Sequence, residues 1–346
     1  MKLFGLLLLM SDFAYSFPFF ALIMSIATGT SFLPSITEPV NCIFGECCSN
    51  ALHFNAESFR ENLTNRLYGQ HIAIERLYYH VKAHMENSNP SRSLVLSFHG
   101  FTGIGKNYAK TILASSLFVR GEKSKFHHFF DATVDFLFKD SVELYKAKVV
   151  STIRDNVRQC PRSMFVFDEV HKMPPGILDA LVPFLGHTES IDGVDYRKAI
   201  FIFIGNSGGL YINSYVLETI KSGKNRLSIQ YGDLRNNLVS SIYSNEGGLK
   251  LSDLIKKHVI TAVIPFLPLQ EVHVRSCIKY AAKRMGVEAT EEMIVFVLSE
   301  LDWEPEGTHL FSTSGCKLVY DKIGFYLQMK SDQIDFTDLK NIHGEL

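Results

Sequence analysis

The sequence lacks an excess of charge of either sign. Its 35 lysine and arginine residues are balanced by 36 aspartate and glutamate residues, which gives a net charge of −1. A protein that binds nucleic acid over an extended surface carries a basic excess, so no nucleic-acid partner is expected. The sequence also shows no internal repeat, heptad array or low-complexity tract, which argues against solenoid and coiled-coil architectures.

Cysteine is scarce as well, and its spacing does not fit a zinc site. There are six cysteines, of which Cys42, Cys47 and Cys48 form a cluster without a matching second pair. In an oxidising compartment such cysteines form disulfides, although spacing alone does not define the pairs. What the chain does have is size: 346 residues, 46% of them hydrophobic, predict one large domain with a substantial core and a smaller one beside it.

The first thirty residues differ in composition from the rest. Residues 3–10 and 13–27 are almost wholly apolar, Lys2 precedes them, and small residues follow at 27–31. This pattern is typical of a secretory signal peptide with cleavage near residues 27–31. An uncleaved membrane anchor and a buried N-terminal helix are the alternatives. The first two place the folded part outside the cytosol, and the glycosylation sequon at Asn62 agrees with that.

Strand and helix patterns alternate along most of the chain. Apolar runs at 94–99, 164–169 and 199–206 predict buried parallel strands, and residues 126–130 a short one. Helical periodicity appears at 56–86, 141–158 and 177–185. A last apolar run at 261–269 ends the alternation, and residues 270–330 show helical patterns only. This order predicts a parallel-sheet α/β domain followed by a small helical lid.

A glycine-rich loop follows the first predicted strand and precedes a helix. Such a strand–loop–helix unit binds phosphates, because glycines let backbone N–H groups point inward and the helix N-terminus adds partial positive charge. Lys106 is predicted to reach the β- and γ-phosphates of ATP. Asn107 replaces the usual Ser or Thr, yet its amide oxygen can also face Mg²⁺, directly or through water. The loop consists of Gly100, Phe101, Thr102, Gly103, Ile104, Gly105, Lys106 and Asn107.

Polar residues also end two further predicted strands. Asp168 is predicted to hold Mg²⁺ through water, and Glu169 to polarise the water that attacks ATP. Asn206 is placed to bind both this water and the γ-phosphate. Taken singly, the acidic pair is also consistent with a polar strand end and Asn206 with a turn residue. Their order and spacing after the glycine loop favour an ATP site.

Several further motifs make the sequence similar to a known family. The phosphate loop ending in Asn107 resembles that of the torsins, which are AAA+ ATPases related to Clp-type disaggregases. The resemblance covers about residues 42–330. The other matching segments are residues 67–73, 165–169 with Lys172 and Met173, 191–194, 199–203 with Asn206, 263–269, and Gly315, Cys316 and Lys317.

The resemblance implies an AAA+ fold and specific roles for residues outside the phosphate loop. It implies that Lys317 contacts the γ-phosphate, that Cys277 pairs with Cys316, and that Cys160 pairs with one of the three N-terminal cysteines. Whether the lid disulfide is regulatory or only a staple stays open. The adenine pocket is implied to contain Tyr68, Gly69, Gln70 and Ile72. The predicted division is a leader at 1–29, a cysteine-containing segment at 30–55, the α/β domain at 56–269 and the lid at 270–346.

The resemblance also implies where such a protein works and with what. Torsins reside in the endoplasmic-reticulum lumen and nuclear envelope, hydrolyse ATP weakly alone and respond to membrane-anchored luminal activators that lend an arginine. A homo-oligomer, protein clients and peripheral membrane association through the N-terminus follow from the same resemblance. Arg226 and Arg235 lie where a self-supplied arginine would be expected, and neither is assigned that role. The alternatives are a nucleotide-gated scaffold with little turnover and, third, a small-molecule kinase.

Overall fold

The computed structural model describes residues 54–244 and 258–331. The predicted leader and the cysteines at 42, 47 and 48 lie outside these residues. Within the described part, no helix is long and apolar enough to cross a membrane.

A five-stranded parallel sheet organises the α/β part of the chain. Its strands lie in the order β2-β3-β4-β1-β5, and every neighbouring pair is parallel. All residues of β1, β3, β4 and β5 are buried, as expected for continuous apolar runs covered on both faces, whereas β2 at the edge is only partly buried. The strands are β1 Leu94–His99, β2 His127–Asp131, β3 Met164–Asp168, β4 Ile200–Gly205 and β5 Ala262–Pro265.

Helices connect the strands and cover both faces of the sheet, which confirms the predicted parallel α/β fold. Stacked phenylalanines from β2, β3 and β4 fill the core, with Phe167 lying 5.0 Å from Phe130 and 5.5 Å from Phe203 between ring centroids. In the described residues 54–244 the helices are α1 Ala56–Arg66, α2 His71–Glu86, α3 Lys106–Leu117, α4 Ala132–Asp135, α5 Val142–Gln159, α6 Val182–Leu185, α7 Gly209–Lys221 and α8 Tyr231–Ser244.

Between residues 266 and 331, three helices follow the sheet, together with a feature that the sequence patterns did not predict. These helices are α9 Glu271–Arg284, α10 Glu291–Ser299 and α11 Val319–Ser331. An antiparallel pair of two-residue strands, β6 Trp303–Glu304 and β7 Phe311–Ser312, lies between α10 and α11. The prediction of helices alone after residue 270 was therefore wrong at this point, because strands this short show no alternation. The predicted domain boundaries stay predictions.

Strand order brings the polar strand ends together. β1 lies between β4 and β5, and β3 lies beside β4. Because all strands are parallel, the residues that follow β1, β3 and β4 meet at one edge of the sheet, where open α/β sheets bind ligands.

Candidate active site

The glycine loop between β1 and α3 is shaped by left-handed backbone angles. Gly103 and Gly105 have φ values of 73° and 108°, and Gly105 caps helix α3, whose first residue is Lys106. A side chain at position 103 is also excluded by packing, because its Cβ would lie 1.7 Å from the Ser314 carbonyl oxygen. Glycine is thus required both by the turn and by the contact with residues near the start of α11. The N-terminus of α3 opens toward the edge of the sheet.

Lys106 lies at the centre of this edge and is almost fully buried. Its ammonium donates to the carbonyl oxygens of Gly100 and Phe101 and, over 2.8 Å, to Oδ1 of Asn206. Burial lowers the pKa of Lys106 to about 8, although the carboxylates of Asp168 and Glu169 oppose this. All three acceptors are neutral, so the buried charge has room for an anionic partner such as a phosphate.

Asn107 and Asp168 are joined by a hydrogen bond. Nδ2 of Asn107 donates to Oδ2 of Asp168 over 2.8 Å, and the backbone N–H of Glu169 donates to Oδ1 over the same distance. Because an amide carries both a donor and an acceptor, Asn107 can hold the carboxylate with its nitrogen while its oxygen remains for a cation. The pair offers the oxygen ligands that Mg²⁺ prefers, and so fits that ion.

Glu169 follows β3 in a left-handed conformation, with a φ of 53°, which is uncommon for a residue with a side chain. Its carboxylate does not stand alone. Oε2 lies 2.9 Å from the Lys172 ammonium and 3.3 Å from Nε2 of His171. The hydrogen bond to Glu169 is the main reason why the pKa of Lys172 is raised, and Asp131 and Asp168 add to it.

His171 links this carboxylate to the end of β4. Its Nδ1 accepts a hydrogen bond from the backbone N–H of Asn206 over 3.4 Å. That acceptor role leaves the proton on Nε2, the nitrogen that faces Glu169. Burial lowers the pKa of His171, with Glu169 opposing the shift, so a neutral ring is favoured.

One cavity of about 710 Å³ is lined by Lys106, Asn107, Asp168 and Glu169, and its volume is within the range of small-molecule sites. The lining includes residues from the sheet edge and from α9 and α11. Of the residues singled out from the sequence, the cavity is lined by Tyr68, Thr102, Gly103, Ile104, Gly105, Lys106, Asn107, Asp168, Glu169, Asn206, Cys277, Cys316 and Lys317. Gly100, Phe101, Gly69, Gln70 and Ile72 are not among its lining residues.

Gln70 is fully buried and bonds only to backbone in the structure. Its Nε2 donates to the carbonyl oxygens of Ile104 and Leu267 at 3.0 and 2.8 Å, and its Oε1 accepts from the Leu267 N–H at 2.7 Å. Gln70 thus joins the phosphate loop to the segment that leads from β5 into the lid. Ile72 packs in the hydrophobic core.

Arg226 has a comparable structural role. Its guanidinium is buried and donates to the carbonyl oxygens of Pro268 and Gly69 at 2.6 and 2.7 Å. Burial lowers its pKa to about 10. An arginine held in this way is not available to a neighbouring active site, whereas Arg235 is exposed.

The lid contributes through helix α9 and the turn before α11. Cys277 and Cys316 form a disulfide, and the backbone N–H of Cys316 donates to the Gly103 carbonyl oxygen over 3.0 Å. Tyr280, one turn after Cys277, accepts a 3.0 Å hydrogen bond from the hydroxyl of Tyr108 on α3. The lid therefore contacts both the phosphate loop and the helix that follows it.

Two other positions singled out from the sequence, Cys160 and Asn62, lie outside the lining of the cavity. Cys160 is buried and disulfide-bonded, and the three cysteines proposed as its partner lie outside the described residues. Asn62 is half-buried on α1 with its Nδ2 donating to the Ser58 carbonyl oxygen over 2.9 Å, and its glycosylation stays a prediction.

Sequence reasoning missed the cavity-lining residues Asp131, Tyr108, Lys172, Tyr280 and Arg284, and also His171, which contacts Glu169. A signal existed for Asp131, because it ends β2 as Asp168 ends β3, and the two are in register. A signal also existed for Tyr280 and Arg284, which follow Cys277 by three and seven residues and so share its helix face. The sequence carries no signal for His171 and Lys172, because their contact with Glu169 depends on a turn that the sequence does not reveal.

A phosphate loop followed by acidic and amide residues at adjacent strand ends, with a helical lid, defines an AAA+ ATPase. Two family models match this chain: "Torsin" over residues 42–167 and "Torsin-1A, C-terminal domain" over residues 269–326. A "Torsin-like protein" of Caenorhabditis elegans is 38% identical over 288 residues, which are 82% of this chain and 81% of that protein. The chain therefore belongs to the torsin family.

Solved structures of Hsp104 show the same fold. The S. cerevisiae Hsp104–ADP complex aligns with a TM-score of 0.57 and 17% identity, and a closed state of Hsp104 with ATPγS and FITC casein with 0.56 and 16%. These alignments cover 88% and 90% of this chain. The chain spans about half the length of the Hsp104 chains, 52% and 51%.

Proposed function

We propose that this protein is a torsin-type ATPase of the endoplasmic-reticulum lumen and nuclear envelope, which uses ATP and Mg²⁺ to remodel protein assemblies or membranes there. The observation that carries the proposal is the convergence of Lys106, Asp168, Glu169 and Asn206 on one cavity. A buried ammonium, a metal-holding carboxylate, a water-orienting carboxylate and a polar amide are the groups that ATP hydrolysis needs.

Each residue of the cavity has a proposed role in this reaction. Lys106 exchanges its bonds to loop carbonyls for bonds to the β- and γ-phosphates, and Asn206 and Lys317 contact the γ-phosphate. Glu169 orients the attacking water and accepts its proton. Asn107 and Asp168 hold Mg²⁺, which when bound offsets the negative charge of the phosphates. Tyr68 forms part of the adenine pocket, while Gly69, Gln70 and Ile72 support that pocket from behind.

A membrane-anchored luminal activator is proposed to complete the site. Arg226 is committed to the carbonyl oxygens of Gly69 and Pro268, so it does not supply charge to a neighbouring subunit. An arginine lent by a partner would stabilise the charge that develops on the transferred phosphoryl group. The same proposal includes binding to the activator, assembly into a homo-oligomer and action on protein clients.

A nucleotide-gated scaffold is the second candidate, and the same arginine favours it. In this version ATP locks a partner-binding conformation, and turnover is incidental. Turnover with and without a luminal activator domain separates the two, because at least tenfold stimulation is expected of the ATPase and none of the scaffold.

The proposed ATPase is tested with the Glu169→Gln variant. We expect this variant to bind ATP as the unaltered chain does, to lose turnover and to retain the activator in an ATP-dependent complex. Lys106→Met serves as the control that binds no ATP and retains no partner. An unaltered chain that bound no ATP in the presence of Mg²⁺ and activator would refute the proposed function.

A further inference from the structure

The carboxylate of Glu169 is paired before any nucleotide is present. Its Oε2 lies 2.9 Å from the Lys172 ammonium, and the two side chains are 26% and 53% exposed. Both line the cavity that is proposed to hold the triphosphate. The oxygen that Lys172 holds is therefore occupied, and it becomes available to a water only when the pair opens.

The backbone explains why this ion pair forms. Residues 170–172 make a 3₁₀ turn, in which the N–H of Lys172 donates to the Glu169 carbonyl oxygen over 2.7 Å. Side chains three residues apart eclipse in such a turn, so Glu169 and Lys172 are brought onto the same side. The left-handed conformation of Glu169 starts the turn and fixes where its side chain leaves the backbone.

A second carboxylate lies within electrostatic reach of Lys172. Asp131 ends β2, is in register with Asp168 at the end of β3, and lines the same cavity. One of its oxygens caps the N-terminus of α4 through the N–H of Thr133 over 2.7 Å. The Lys172 ammonium, on a long and half-exposed side chain, is thus paired with Glu169 and also attracted by the charge of Asp131 at the neighbouring strand end.

We propose that Lys172 is a positioning residue that holds Glu169 aside in the nucleotide-free protein and moves to Asp131 when ATP occupies the cavity. The inference rests on the proposed function and deepens it, because it assigns control of turnover to a contact within the chain. The γ-phosphate of ATP brings negative charge next to Lys106, and a water beside it competes with Lys172 for the Glu169 carboxylate. His171 Nε2, 3.3 Å from the same oxygen, stays beside Glu169 when Lys172 leaves.

The magnitude of the effect follows from the exposure of the pair. Ion pairs that are half open to solvent contribute little, about 1 kcal/mol or less, which corresponds to about a fivefold change in rate. Such a contact is strong enough to bias Glu169 and weak enough to be broken by bound nucleotide. A deeply buried pair would not be reversible in this way.

The first test removes the charge of Lys172 in the full chain. We expect Lys172→Met to raise basal kcat for ATP about fivefold without an activator, with KM changed less than twofold. Lys172→Arg keeps the pair and should stay near the unaltered chain. Lys146→Met is the matched control, since Lys146 forms an equivalent pair with Glu143 three residues away and does not line the cavity. A fall in kcat or a large rise in KM for Lys172→Met would mean that Lys172 assists catalysis or binding, and would overturn the inference.

The second test removes the alternative partner. Asp131→Asn retains an oxygen to cap α4, and it should lower basal kcat about threefold to fivefold because Lys172 then stays on Glu169. In the Lys172→Met background the same substitution should have no effect on kcat. Additive effects of the two substitutions would show that Asp131 acts independently of Lys172, contrary to the inference.

A structural measurement gives a readout that does not depend on turnover. In a structure of the full chain with ATPγS and Mg²⁺, Lys172 Nζ should lie within 4 Å of Asp131 and beyond 4 Å from Glu169. An intact Glu169–Lys172 pair beside bound ATPγS overturns the inference and leaves the proposed function standing. Failure of the unaltered chain to bind ATP or ATPγS would instead refute the proposed function itself.

Discussion

At the scale of single residues, Lys106 shows how a binding group opposes stability. Burial lowers its pKa from 10.5 to about 8. The unfolded chain therefore binds more protons than the folded chain between pH 8 and 10.5, and the unfolding free energy rises over that window. Below pH 8 the buried charge lowers the free energy of unfolding by on the order of 3 kcal/mol, and a bound phosphate would offset this loss.

A substitution of Lys106 should separate binding from stability. We expect Lys106→Met to abolish the rise in Tm that MgATP gives the unaltered chain, while the Tm of the nucleotide-free protein does not fall. The methionine keeps much of the apolar stem and removes the buried charge. Thermal unfolding with and without MgATP measures both quantities, and Lys82→Met, at a half-exposed position on α2 away from the cavity, is the control. A full ATP-dependent shift in Lys106→Met would contradict this assignment.

The two arginines considered as a self-supplied finger differ in what they should do when removed. Arg226 is buried and bonded to two carbonyl oxygens, so Arg226→Ala leaves them unpaired and opens space in the core. We expect a loss of about 3 kcal/mol in unfolding free energy, measured by urea titration. Arg235→Ala, at an exposed position, should change it by less than about 0.5 kcal/mol. Equal effects of the two substitutions would contradict the structural role of Arg226.

At the scale of elements, the sequence predicted the strands and helices that are marked by a run or period of neighbouring residues. The apolar runs at 94–99 and 164–169 contain β1 and β3, because strands buried on both faces need apolar residues throughout. The strands Trp303–Glu304 and Phe311–Ser312 were missed because two residues carry no periodicity. The contacts of Gln70 with Ile104 and Leu267 were also beyond the sequence, since Leu267 is 197 residues away in the chain.

The contact between the phosphate loop and the turn before α11 makes the lid disulfide relevant to nucleotide binding. Cys316 donates its N–H to the Gly103 carbonyl oxygen, and its sulfur is bonded to Cys277 on α9. We expect the Cys277→Ser/Cys316→Ser variant to bind ATP about threefold to tenfold more weakly and to lose about 2–4 kcal/mol of unfolding free energy.

Competition with a fluorescent ATP analogue measures this loss of affinity. Dithiothreitol should weaken binding by the unaltered chain to the same extent and leave the double variant unchanged. If affinity is unaffected while stability falls, the disulfide acts only as a staple.

At the scale of the whole molecule, a small set of contacts couples the sheet, the linker and the lid. Gln70 and Arg226 hold the residues that follow β5, and the Tyr108–Tyr280 hydrogen bond joins α3 to α9. The contacts of Gln70 and Tyr108 connect to the phosphate loop or to the helix that follows it, and Arg226 holds the segment after β5. A change in the loop on nucleotide binding can therefore reach the lid through these hydrogen bonds.

Buried histidines should make the stability of the whole molecule fall on mild acidification. Burial lowers the pKa of His84, His99 and His273 from 6.5 to about 4, 3 and 4. The unfolded chain therefore binds more protons than the folded chain below pH 6.5, and stability is lost as pH falls from there toward 4. Each histidine contributes at most about 1.4 kcal/mol per pH unit, so the three together give a loss of about 4–6 kcal/mol between pH 6.5 and 5.

This loss can be separated from that of the carboxylates. The lowered pKa values of Glu122 and Asp195 start from 4.5 and 3.8, so these groups act mainly below pH 5. Urea unfolding at pH 7.5, 6.5, 5.5 and 5.0 should thus report histidines in its upper range. His84→Gln retains a donor for the Lys198 carbonyl oxygen and should reduce the slope by at most about a third, because burial also lowers the pKa of other histidines, His171 among them. A flat profile between pH 7.5 and 5.0 would mean that these rings take up protons in the folded protein as readily as in the unfolded chain, contrary to the lowered pKa values.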